Sequence, residues 1–128
     1  MTNSEVPEDV AEFAGRLFDM AREGDLALVD YVDNGVAVNL TNQDGNSLLM
    51  LAAYKGHAEL TRELARRGAD VDQLNGRGQS PLAGAIFKKE DEVIDVLLEA
   101  GADANAGHPT AIESAKLFGR EDLLGRLS

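Results

Sequence analysis

Apolar residues along this chain fall at helical spacing in short blocks, and the blocks recur. Leu60 with Leu64, and Val93 with Leu97, put bulk on one face of a helix. Ahead of them stand Ala52, Ala53 and Ala85, small residues that let neighbouring helices approach closely. Ser47 and Ser80 sit just before an apolar-periodic run, so their hydroxyls predict helix N-caps, and Pro81 suits a first turn, where a missing N–H costs little. Gly68 and Gly101 follow the second helix of each block, where a residue in the left-handed region ends a helix without steric cost. Residues 69–78 and 102–107 are then predicted to form projecting turns.

The recurrence has a fixed length. Gly35, Gly68 and Gly101 are spaced 33 residues apart. The same shift lays Asn39 on Asp72 and Asn105, Gly45 on Gly78, Ser47 on Ser80, Leu49 on Leu82, Ala52 on Ala85, and Leu64 on Leu97. A comb of matches at this period predicts a solenoid, in which each unit buries its apolar face against the next.

The phrases that start at Gly45 and Gly78 resemble the ankyrin repeat, and the resemblance covers about residues 8–128. Ser47 and Ser80 fill the family's threonine slot, Leu49 and Leu82 its leucine slot, and Ala52-Ala53 and Ala85-Ile86 its paired-alanine slot. Leu48 replaces the usual proline, and Met50 and Ala83 replace the usual histidine, so local capping is expected to be weaker than in the family pattern. The resemblance implies an all-α solenoid of stacked helix-turn-helix units with projecting β-turn or hairpin fingers.

The ends depart from the pattern as caps do. Val10, Phe13, Ala14, Leu17 and Ala21 give a helical face, and Gly24-Asp25-Leu26 turns the chain into a second helix through Leu28, Val29 and Val32. Gly24 to Gly35 spans 11 residues against 12 from Gly56 to Gly68, which predicts a shortened second helix or an altered turn. At the other end Thr110 to Ala115 matches the core of the motif, Gly119 takes the glycine slot, and Leu123, Leu124 and Leu127 close the stack. Asn105 to Thr110 is 5 residues where Asp72 to Ser80 is 8, so the last finger is expected to be largely missing. The expected organisation is one domain over 1–128: a polar N-terminal segment (1–7), a degenerate capping repeat (8–39), two repeats (40–72 and 73–105) and a truncated C-terminal cap (106–128). About three repeats suffice for a stable array.

Composition narrows the class. The 128 residues are 44% hydrophobic, enough for a continuous core, and contain no long apolar run of membrane-spanning length. The polar, acidic start lacks the pattern of a secretory signal, and cysteine is absent, which suits a reducing compartment. Cytoplasmic residence is the expectation, as a monomer given capped ends and high charge. The net charge of −11 is concentrated early: residues 1–33 carry nine acids and two bases. That balance argues against nucleic acid or an anionic membrane as partner and favours a basic one for the N-terminal unit. The plainer account is that Glu5, Glu8, Asp9 and Glu12 stabilise a helix start and keep the chain soluble.

Proteins of the ankyrin family usually bind through turn tips and the exposed face of the first helices, so the resemblance implies a concave surface formed by the two residues before each mid-repeat slot. These are Arg22 and Glu23, Tyr54 and Lys55, Phe87 and Lys88, and Leu117 and Phe118. Only 5% of the chain is aromatic, yet Tyr54, Phe87 and Phe118 are expected at equivalent places in successive units. Such rows are frequent interface anchors. Lys55, Lys88 and, on a turn tip, Arg77 add positive charge and favour acidic groups at the partner's rim. The alternative is that Phe87 and Phe118 tuck inward.

Catalytic chemistry finds little support. His57 falls in the Gly-His slot of the family, where a structural role toward nearby backbone is expected, and His108 has no metal-ligand companion at useful spacing. The stretch 75–80 lacks the lysine of a phosphate-cradling loop, and Asp70, Asp72 and Asp103 lack calcium-loop spacing and are expected to satisfy turn backbone. No cofactor or metal is expected. The reading is a non-enzymatic module that binds a protein partner. The alternative is a regulatory or protective subunit of an enzyme, such as a bacterial redox or stress enzyme, with the acidic N-terminal unit docked on a basic patch.

Overall fold

The computed structural model describes residues 8–127. The polar segment 1–7, with Glu5, lies outside the described residues, as does the side chain of Glu8. The elements are α1 (Glu8–Glu23), α2 (Ala27–Asp33), α3 (Leu48–Tyr54), α4 (Ala58–Arg66), α5 (Pro81–Lys88), α6 (Asp91–Glu99), α7 (Ala111–Leu117), a 3-10 turn (Glu121–Leu123) and α8 (Leu124–Leu127). Helices α1, α3, α5 and α7 pack side by side in one row, while α2, α4 and α6 form a second row behind them. The described residues hold no strand, only an isolated antiparallel bridge between Thr41 and Ser47. This is an all-α solenoid.

Local chemistry sets the helix starts. Ser47 Oγ accepts from the Met50 amide at 3.0 Å and Ser80 Oγ from the Ala83 amide at 3.1 Å. Thr110 adds a reciprocal box: its hydroxyl accepts from the Glu113 amide at 3.0 Å, and the Glu113 carboxylate accepts from the Thr110 amide at 2.8 Å. Hydroxyl caps thus form although the family's histidine is replaced. Between the rows Ala21, Ala52, Ala53, Ala85 and Ala115 are fully buried, and Leu28, Leu48, Leu64, Leu82 and Leu97 fill the space they leave.

The first helix departs from its expected face. Val10 is 51% exposed, whereas Phe18, adjacent to Leu17 and three residues before Ala21, joins the core at 8%. Helix α1 has 16 residues and packs on α3, which has seven. At 1.5 Å per residue it outruns its neighbour by roughly 13 Å, so its first turns have nothing to bury against. Helix α2 has seven residues where α4 and α6 have nine, the shortening expected from the Gly24 to Gly35 spacing.

The fingers are built by asparagine. Asn42 Oδ1 accepts from the amides of Asp44 and Asn46, both at 3.0 Å, and 33 residues on Asn75 Oδ1 accepts from Arg77 (2.9 Å) and Gln79 (3.1 Å). The two fingers stack, with the Gly76 amide donating to the Asp44 carbonyl at 2.9 Å. Nearer the helices a second ladder crosses the seams: Asn39 Oδ1 accepts from the Asp70 amide and Asp72 Oδ1 from the Asp103 amide, each at 2.8 Å. Asp70 and Asp103 accept from the amides two residues ahead, those of Asp72 and Asn105. These carboxylates satisfy turn backbone.

Candidate functional site

Each first helix is followed by a residue in the left-handed region: Gly24 (φ 72°), Gly56 (84°), Lys89 (60°) and Gly119 (72°). Lys89 is the exception among them, since a side chain is strained at this φ. The residue after each amide-bonds back into its own helix: Asp25 to Met20, His57 to Ala52, Glu90 to Ala85 and Arg120 to Ala115. His57 also reaches the preceding pair, its Nε2 donating to the Arg22 carbonyl at 2.7 Å, and its ring covers Gly24. In the next pair the Glu90 carboxylate covers Gly56 in the same manner.

The two residues before this slot carry the aromatic row, and they interlock between pairs. Lys88 Nζ lies 5.1 Å from the Tyr54 ring centre, and Phe118 meets Phe87 edge-on with centroids 5.2 Å apart at 63°. The structure corrects the expected equivalence of the three aromatics. Tyr54 and Phe87 stand two residues before their slot, but Phe118 stands one before Gly119, in the position that Lys55 and Lys88 hold. The position equivalent to Tyr54 and Phe87 is filled by Leu117, which is 70% exposed. The rule is therefore stepwise: the residue one before the slot packs on the residue two before the slot of the preceding pair. For the first step the residues are Lys55 and Arg22, two cations, and Arg22 instead pairs with Asp19 at 2.9 Å.

Phe87 is 52% exposed and Phe118 39%, so the inward alternative does not hold for either. Together with the fingers these residues border two adjoining hollows beside α3, α5 and α7. One, about 90 Å3, lies among Asn46, Met50, Leu51, Tyr54, Asn75, Arg77, Gln79 and Gly84. The other, about 230 Å3, is lined by Gln79, Ala83, Gly84, Phe87, Pro109, Ser114 and Phe118. Gln79 and Gly84 belong to both. Gly84 lies inside α5, where glycine costs about 1 kcal/mol relative to alanine, and a Cβ there would come within 3.3 Å of the Tyr54 ring. A hollow of about 270 Å3 between α4 and α6 is larger, but charged Arg62, Arg66 and Glu99 border it and no ring does.

Arg67, Arg120 and Arg126 are neutralised within the chain. Arg67 bridges Asp33 of the preceding pair (2.7 Å) and Glu63 of its own helix (2.7 Å). Arg120 reaches Asp91 (2.9 Å) and Asp122 (3.1 Å), and Arg126 reaches Asp95 (2.9 Å). The hydrogen bond from Arg67 holds the Glu63 carboxyl below its ordinary range, and that from Arg120 does the same for Asp122. Arg67 and Arg120 are in turn held more firmly protonated, Arg67 chiefly by Asp33 and then Glu63, Arg120 chiefly by Asp122 and then Asp91. Beside the aromatic row and on the finger, Lys55, Arg77, Lys88 and Lys89 are exposed. Among the described residues no group of three or more His, Asp or Glu is placed to hold a metal ion, and no helix is long and apolar enough to cross a membrane.

The sequence profile of ankyrin repeats in three copies matches residues 17–108, and the chain belongs to the ankyrin-repeat family. It is 35% identical over 113 residues to a serine/threonine-protein kinase 12 of Arabidopsis thaliana, covering 86% of this chain and 24% of that protein. It is 46% identical over 66 residues to a putative ankyrin repeat protein of Pseudomonas aeruginosa, covering 48% of this chain and 39% of that one. The chain thus spans less than half the length of either relative. Among solved structures it superposes on the human ASB11 ankyrin repeat domain with a TM-score of 0.72 and 30% identity, covering 87% of this chain and 52% of that domain. Stacks of this family are generally non-catalytic protein-protein interaction modules.

Proposed function

We propose that this chain is a non-enzymatic protein-binding module that holds its partner against the concave face, with Tyr54, Lys55, Arg77, Phe87, Lys88 and Phe118 in contact and Arg22 and Glu23 at the margin. The observation that carries the reading is the exposed Phe87–Phe118 pair beside an open hollow. A ring that served only the stack would be buried in it, whereas half of Phe87 faces solvent, where its apolar surface is stabilised by a partner's contact. The reading extends to a cytoplasmic monomer whose function is to sequester, position or block what it binds.

The test is capture from native extract by the wild type, by Phe87→Ala/Phe118→Ala, and by Arg62→Ala on the opposite side. Capture of a defined partner by the wild type and Arg62→Ala, and its loss in the double variant, supports the concave site. Equal capture by all three places the site elsewhere.

A further inference from the structure

We infer that the partner segment held on this face is an acidic polypeptide stretch adjoining a bulky apolar side chain, the acids lying over Lys55, Lys88 and Lys89 and the apolar group seated between Phe87 and Phe118. This rests on the concave-face reading above and adds the chemistry of the occupant.

The first support is the division of the basic side chains. Of 12 lysines and arginines, all within the described residues, Arg22, Arg66, Arg67, Arg120 and Arg126 are ion-paired. Seven have no carboxylate partner among the described residues, in a chain with 23 acids for 12 bases: Arg16 lies over the Phe13 ring, Arg62 borders the hollow between α4 and α6 and Lys116 is on α7, whereas Lys55, Lys88 and Lys89 follow Tyr54 and Phe87 directly and Arg77 lines the smaller hollow. Of the acids near this face, Glu113 is held in the Thr110 cap and Asp44 sits on the finger tip, while Glu23 and Glu90 make no ion pair among the described residues. Acid is abundant, yet these four cations beside the aromatic row stay unpaired, which is the complement of an acidic ligand.

The second support is the size and place of the hollow. At about 230 Å3 it lies below the roughly 300–1,000 Å3 of small-molecule sites. It therefore suits one inserted side chain, and its Phe87, Phe118, Pro109 and Ala83 walls select an apolar one. It also lies toward the C-terminal end of the stack from Tyr54, Lys55 and Lys88, which sets where charge and anchor sit on the face. A nucleic-acid strand, charged along its whole length, would run on from these cations to the acids of α1, among them Glu12, Asp19 and Glu23, whereas a polypeptide can confine its acids to the stretch over the lysines.

Three dye-labelled peptides test this by fluorescence anisotropy on the full chain: Glu/Asp repeats with Leu-Phe at both ends, Lys/Arg repeats with Leu-Phe at both ends, and Glu/Asp repeats with Ala-Ala at both ends. The first is expected to bind at least roughly tenfold more tightly than the others. Its affinity should fall about tenfold in Lys55→Glu/Lys88→Glu and again as salt rises from about 50 to about 300 mM. Circular dichroism and urea midpoints establish that each variant is folded. Failure of the acidic Leu-Phe peptide to bind at millimolar concentration, or indifference to the charge reversal, overturns the inferred chemistry. If the basic peptide binds better and Phe87→Ala abolishes it, the concave site stands and only the acidic occupant is wrong. If the acidic peptide binds equally to Phe87→Ala and to Lys55→Glu/Lys88→Glu, both readings fall.

Discussion

Lys88 lies over the ring of Tyr54, its Nζ 5.1 Å from the centroid, and Phe118 meets Phe87 through the same step between neighbouring helix pairs. One position thus accepts either a cation or a ring, because both satisfy the face or edge of the aromatic below it. Phe118→Ala should destabilise the fold by about 0.5–1.5 kcal/mol beyond the lost area, whereas Phe118→Lys should recover much of that by placing a cation on Phe87. Urea denaturation of the two variants checks this. Equal destabilisation would show that the step is not interchangeable.

Lys89 occupies the left-handed position that three glycines hold in the other pairs. Lys89→Gly should raise stability by up to about 1 kcal/mol, the relief of left-handed strain exceeding the added entropy of the unfolded chain. Gly56→Ala should do the opposite, since its φ is 84° and a Cβ there meets the Glu90 carboxylate. Thermal midpoints moving together in either direction would contradict the account.

His57 joins two pairs through one bond, its Nε2 donating to the Arg22 carbonyl at 2.7 Å. His57→Ala should cost about 1 kcal/mol, the ordinary worth of such a bond. His57→Gln, which keeps a donor, should cost less. A backbone amide probe at Gly24 in the NMR spectrum should shift in both, because the ring that covers it is gone.

The Arg67 pairs give a pH dependence of fixed sign. Glu63 is held below its ordinary value of 4.5 in the folded state, so its contribution is present above that value and is lost as pH falls through the depressed native one. Wild type should therefore exceed Arg67→Met in thermal midpoint at neutral pH. The gap should narrow only as pH falls below about 4.5, and shrink in high salt because the groups are exposed. A gap that is constant down to pH 2 would assign the effect of Arg67 to packing.

Much of the fold was legible because its signals are local. Ser47, Ser80 and Thr110 declare helix starts by a bond that spans three residues, and Gly68 and Gly101 declare stops by their own conformation. Phe18 was missed because helical spacing alone allows Val10 on the same face, and only the short length of α3 decides which turns are covered. The site was legible as a set of residues but not in its register. Phe118 lies one residue off the row of Tyr54 and Phe87, and the contact it makes depends on how pairs step along the stack, which no spacing within one unit encodes. The strained Lys89 was readable by the 33-residue shift from Gly56, but only once the left-handed geometry of that slot was known.

The most direct test of the concave face as the binding surface is photo-crosslinking in native extract, with a benzophenone amino acid placed at Phe87 or, on the opposite side, at Arg62. A discrete crosslinked partner from position 87, absent from position 62, is the result expected. A partner captured from position 62 and not from position 87 would contradict it.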